Sequence, residues 1–216
     1  MWSVRAQLCG AARRLGCGGG PMTELDRQLE QLAVLINALS RRAQAAIFWA
    51  ASIVHSESAR WRSGVSTDPH ALLLQAQDAV YAFCLGGSLG YRGGALLDEF
   101  DGPLPENVVA QSAWICADTA LRVAVDEAFE SGMSIEYALE PVVGRVSDEL
   151  FGFWQVGSGE VEDEQVAEIM SHRDVVDALA FFRWAVAELA VQDPLSAAVL
   201  ADIRTSAAVL ADGRPR

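Results

Sequence analysis

Between Pro105 and Gly132 the chain reads PENVVAQSAWICADTALRVAVDEAFESG, a stretch with a sustained helical period that constrains everything around it. At about 100° per residue, Gln111, Ser112, Asp118, Thr119, Arg122, Asp126, Glu127 and Glu130 gather on one arc. Val109, Ala113, Trp114, Cys116, Ala117, Ala120, Leu121, Val123, Ala124, Val125 and Ala128 fill the remainder, and only Ile115 and Phe129 break the pattern. A helix with so wide an apolar face needs neighbours on several sides, so the spacing predicts a buried central helix over 105–131. Pro105 is preset for a first turn, Glu106 suits the positive end of the helix dipole, and Gly132 is positioned to close the far end in a left-handed conformation.

The flanking segments carry further helical patterns. Leu25, Leu29, Leu32, Ile36 and Leu39 follow Thr23-x-x-Asp26, which resembles a capping box. Ser40 can cap a second helix whose Ala46, Ile47, Ala50, Ala51 and Val54 form an apolar stripe; sequence leaves open whether the two are continuous. Ser63 to Pro69 concentrates turn formers and predicts a loop, followed by a helix from His70 to about Leu85. The glycine cluster Gly86 to Gly94 precedes a short helix near Ala95 to Phe100. After Gly132, Ser134 to about Phe153 reads as a helix that Pro141 should kink. Three helices follow: a short one to about Met170, one from Asp174 to about Val191, and a last one that Asp193-Pro194 starts. No segment shows strong strand alternation. The expectation is an all-α fold, a single-domain bundle of about seven or eight helices spanning 22–212.

Residues 1–21 differ from the rest, being basic, glycine-rich and without a period. Arg13 and Arg14 interrupt the one candidate apolar core of a secretory signal, and nothing apolar follows them as a twin-arginine signal requires. The stretch reads as a disordered tail, or as an over-extended start with Met22 as the initiator. No apolar run approaches the roughly 20 residues that span a bilayer, so no membrane role is expected and the chain reads as cytoplasmic.

Composition removes several functions. The formal charge is −13, and nucleic acid is a poor partner for a chain without clustered cations. A basic protein partner suits it better, although acidity also serves solubility. All 16 basic residues are arginine. Without lysine there is no P-loop lysine, no Schiff base and no Ser-Lys hydrolase. Arginine bias also follows from a GC-rich genome.

Leu97-x-x-Phe100 followed by Pro105, the apolar helix interrupted by Asp118, the Ser131-Gly132 stop, and Phe181-Phe182-x-Trp184 leading to a final amphipathic helix occur together. In that order they resemble the bacterial YjaG-like family, domain of unknown function 416, over roughly Leu29 to Leu210. The resemblance implies an all-helical bacterial cytoplasmic protein of about this size. It carries no activity and no functional residue across.

The motifs with chemical overtones are weak. Gly86 to Gly94 has the glycine content of a phosphate loop without its spacing, its preceding strand or its lysine. His172-Arg173-Asp174 matches three residues of a kinase catalytic loop and nothing else of that signature, so Asp174 reads as a helix cap. Cys9, Cys17, Cys84 and Cys116 have neither C-x-x-C nor zinc spacing, and no G-x-S-x-G elbow occurs. No cofactor and no metal is expected.

Two classes of function remain. The first is a non-enzymatic protein-binding module, immunity- or antitoxin-like, docking a basic partner through Glu160, Glu162, Asp163 and Glu164 beside Phe153 and Trp154. The same four carboxylates also suit a helix first turn, and the aromatics also suit a bundle end. The alternative is a helical-bundle enzyme or small-ligand or metal-binding protein using Asp118, or Glu168 with His172 one turn on. Asp118 has a structural reading too, an i,i+4 ion pair with Arg122 at the edge of the core.

Overall fold

A computed structural model describes residues 23–57, 67–102, 105, 108–152 and 163–211. Among these there are nine α-helices, one 3-10 turn and no strand. The helices are α1 (Glu24–Asn37), α2 (Arg41–Ser56), α3 (Thr67–Cys84), α4 (Gly90–Phe100), α5 (Val108–Val125), α6 (Ile135–Phe151), α7 (Asp163–Ser171), α8 (Arg173–Ala190) and α9 (Ala197–Ala211). The 3-10 turn, Gly132–Ser134, leads into α6. Residues 1–21, the Ser63–Ser66 part of the expected loop and the aromatic pair Phe153–Trp154 lie outside the described residues.

The first boundaries follow from local chemistry. Thr23 and Asp26 form a reciprocal capping box, with Thr23 Oγ1 accepting from the Asp26 amide and Asp26 accepting from the Thr23 amide at 2.9 Å. Ser40 Oγ accepts from the Ala43 amide at 3.3 Å, so α1 and α2 are two helices rather than one. Helix α3 begins three residues before His70, and Pro69 sits in its first turn, where a missing N–H costs nothing. The last helix starts at Ala197 rather than at Asp193-Pro194, because Ser196 Oγ accepts from the Val199 amide and caps it.

The architecture corrects the expected centre of the bundle. Every residue of α2 from Ala43 to Ser56 is buried, and α2 packs against α1, α3, α5, α6, α8 and α9. Its most extensive partner is α5. Both helices are alanine-rich: Ala43, Ala46 and Ala50 on α2 and Ala110, Ala113, Ala117 and Ala120 on α5 are all essentially inaccessible. Small side chains let the two backbones approach closely. The core is therefore built on a pair of helices, and α2 is the more enclosed of the two.

Helix α5 is also shorter than 105–131. Arg41, at the start of α2, donates from Nη1 to the Phe129 carbonyl and from Nη2 to the Val123 carbonyl, both at 2.6 Å, and also to the Asp126 carbonyl. One guanidinium thus collects carbonyls that a continuing helix would use itself. Asp126 Oδ1 then accepts from the Ala128 amide at 3.0 Å, turning the chain. Gly132 does not close this helix in a left-handed conformation. Its backbone instead lies against α1, where an added Cβ would meet the Ala33 carbonyl oxygen and the Asn37 amide nitrogen at 2.6 Å.

Candidate functional site

Asp118 lies mostly buried at the polar edge of α5, facing the end of α4. Arg122 Nε donates to Asp118 Oδ2 at 2.7 Å, and Arg122 Nη2 donates to Asp101 Oδ1 at 3.1 Å. Beneath this network Trp114 stacks on Phe100 with ring centres 4.2 Å apart and donates its indole N–H to the Phe100 carbonyl. Burial pushes the Asp118 carboxyl up; the Arg122 hydrogen bond and charge pull it back, and Asp101 adds repulsion. The rise at Arg122, caused first by its hydrogen bond to Asp118, shows that the pair attracts. For the carboxyl, desolvation wins. Asp118 Oδ1 is buried with no hydrogen-bond partner among the described residues.

Glu168 and His172 belong to different elements. Glu168 is exposed on α7 and accepts at its carbonyl from Ser171 Oγ. His172 is the N-cap of α8, its Nδ1 accepting from the Asp174 amide at 3.3 Å. The capping residue is therefore His172 rather than Asp174, because the chain is extended at His172 and already helical at Asp174. Asp174 pairs across to Arg145 on α6 at 2.6 Å. Among the described residues no group of three or more His, Cys, Asp or Glu side chains is placed to hold a metal ion.

Of the acidic set, Glu160 and Glu162 lie outside the described residues along with Phe153 and Trp154. Asp163 begins α7 and Glu164 is exposed in its first turn, where the helix dipole favours an anion.

The structure adds two titratable groups that periodicity did not single out. His55, near the end of α2, is buried, and its Nε2 lies 3.0 Å from the Ala138 carbonyl on α6. A carbonyl only accepts, so Nε2 carries the proton. The Tyr137 backbone also acts on the ring. Pro141 has no N–H to offer the Tyr137 carbonyl four residues back, and the imidazole from α2 meets α6 at that turn. Burial outweighs these bonds and holds the His55 pKa down at about 4. One turn away, burial and then the Glu140 charge push Glu136 up to about 7, against a hydrogen bond from Tyr137. Only the sequence spacing of Glu136 and Glu140 could have signalled this; the partial burial of Glu136 could not be read.

The thiols Cys84 and Cys116 are both buried. Burial raises each pKa, that of Cys84 to about 12, so neither is a nucleophile near neutrality.

A cleft of about 380 Å³ opens where α3 turns into α4, lined by Arg42, Phe83, Gly87, Leu89, Gly90 and Val125 among others. Gly86 and Gly87 end α3 in a Schellman motif. The Gly87 amide bonds to the Ala82 carbonyl and the Gly86 amide to the Phe83 carbonyl, with Gly86 at φ 101°. The glycine cluster is thus a helix stop followed directly by α4, which begins at Gly90 rather than near Ala95.

No helix among the described residues is long and apolar enough to cross a membrane. The chain matches no family model, no curated protein and no solved structure, so the YjaG-like resemblance rests on its motifs alone.

Proposed function

We propose that this protein acts by binding a protein partner rather than by catalysis, as an acidic, immunity- or antitoxin-like neutraliser of a basic partner. What carries this reading is the engagement of the ionisable groups suited to chemistry. Asp118 is tied to Arg122, His172 caps α8, His55 joins α2 to α6, and both described thiols are sealed in the core. The formal charge of −13 favours fast encounter with a cationic surface. The docking surface in this reading is Glu160, Glu162, Asp163 and Glu164 with Phe153 and Trp154, the carboxylates steering association and the aromatics supplying affinity.

The test is kinetic. With the full chain immobilised and a captured partner in solution, E160Q/E162Q/D163N/E164Q should slow association and flatten its salt dependence. Trp154→Ala should mainly speed dissociation. Binding unchanged in both variants would remove this surface from consideration.

A further inference from the structure

The cleft between α3 and α4 has a cation in its wall, and none of its described lining residues is an anion. Arg42, half-buried at the start of α2, lays its guanidinium carbon 5.6 Å from the centre of the Phe83 ring. A contact of this kind holds the guanidinium over the ring and uses none of its N–H groups. Nη1 lies 3.5 Å from where a Cβ on Gly86 would stand, so the fork reaches the glycine turn. None of the ion pairs among the described residues includes Arg42, and its side chain makes no hydrogen bond there. In a chain with 29 acidic side chains, an arginine held in a cleft without a carboxylate is a placement that needs a reason.

The remaining walls define what would fit. Leu89, Phe83 and Val125 are apolar, and Val125 is partly exposed at the rim with Tyr91 and Leu85 nearby in sequence to the turn. Gly87 to Gly90 line it as well, where α4 begins with no side-chain cap. A guanidinium fork beside a glycine turn and an apolar rim together match a planar or tetrahedral oxyanion attached to a hydrophobic body. The volume of about 380 Å³ is that of a small organic molecule rather than a bare ion.

We propose that this cleft binds a small organic anion, a carboxylate or phosphate head held by Arg42 with an apolar body against Phe83, Leu89 and Val125. It stands apart from the protein-docking reading, since it uses different residues and the opposite charge. The glycines of the turn serve it indirectly. Gly86 requires its positive φ, and a Cβ on Gly87 would meet the Ala82 carbonyl oxygen at 2.7 Å, so side chains stay out of the approach.

The experiment is an amide NMR titration of the full chain with phenyl phosphate, inorganic phosphate and phenol. Phenyl phosphate should give saturable shifts confined to Leu85 to Arg92 and Ala124 to Val125, with a Kd about tenfold or more below either fragment probe. Arg42→Gln should weaken phenyl phosphate about tenfold or more, and Arg42→Lys, which keeps the charge and loses the fork, should fall between. Arg204→Gln, on the outer face of α9, should change nothing. Shifts that do not saturate, that phosphate alone reproduces, or that persist in Arg42→Gln would overturn the proposal.

Discussion

The two inner helices, α2 and α5, are built from similar alanine-rich material and behave differently. Helix α5 keeps one edge for polar side chains, with Asp118 and Arg122 reaching toward Asp101 at the surface. From Ala43 to Ser56 helix α2 has no such edge, and the polar residues there are enclosed and matched one by one. Gln44 Nε2 donates to the Leu39 carbonyl at 2.9 Å and its Oε1 accepts from Ser131 Oγ at 2.9 Å. Gln77 of α3 donates to Ser52 and Ser56, whose hydroxyls donate in turn to carbonyls of α2 itself. His55 reaches α6. The difference teaches that amphipathic periodicity marks the boundary of a core better than its centre, because an enclosed helix tolerates polar residues wherever a partner waits.

The sharpest way to break this comparison is to cut into each helix at a large apolar residue. Phe48 on α2 is fully buried, whereas Ile115 on α5 is partly open to solvent. Phe48→Ala should cost about 3–5 kcal/mol by urea denaturation, and Ile115→Ala about 1 kcal/mol. Equal losses would mean that α5 is as enclosed as α2.

A second test uses pH. The His55 pKa falls from an ordinary 6.5 to about 4 in the folded protein, so between those values the unfolded chain binds the extra proton. Its contribution is complete above about 6.5 and is lost as pH falls through about 4, an effect on the order of 3 kcal/mol. Glu136 works in the opposite sense. Its pKa is raised to about 7, so its neutral form stabilises the fold at low pH and that stability is lost as pH rises through about 7. The two partly cancel in the wild type. Comparing it with His55→Gln, which keeps an N–H donor, isolates the histidine: the variant should lose less stability between pH 6.5 and 4. Parallel curves would show that the ring is not held neutral.

Much of the fold was legible where a rule is local. The Thr23–Asp26 box, the Ser40 cap and the apolar stripes of α2, α6 and α8 all depend on residues within a turn or two. What was not legible is long-range. That Arg41 would end α5 depends on a residue more than 80 positions away in the chain, and nothing near Val125 announces it. Gly132 was legible as special for the wrong reason, since close approach and a left-handed φ both call for glycine and sequence does not separate them. The Arg42 cleft was hidden for the same cause: its cation and its glycines come from different helices, and the glycine run by itself matched no phosphate-binding spacing.

The smallest effect expected is the most discriminating for the edge of α5. Asp118 loses more by burial than it recovers from Arg122, so its folded pKa lies above the ordinary value. Its charge therefore works against the fold: the stability linked to this group is present below about 3.8 and is lost as pH rises through the raised pKa. Asp118→Asn resembles the protonated acid and leaves Oδ1 able to accept from Arg122 Nε by a simple rotation of the amide. At pH 7 it should change stability by no more than about 1 kcal/mol, and in the favourable direction if desolvation dominates. Arg122→Gln acts from the other side, leaving a mostly buried carboxylate without its cation, and should cost about 1–3 kcal/mol at pH 7. That penalty should shrink as the solution is acidified and Asp118 takes up its proton. If instead Asp118→Asn proved the more damaging of the two at neutral pH, the carboxylate would be contributing to the fold as a charge, and the open edge of α5 would be held by electrostatics rather than tolerated despite it.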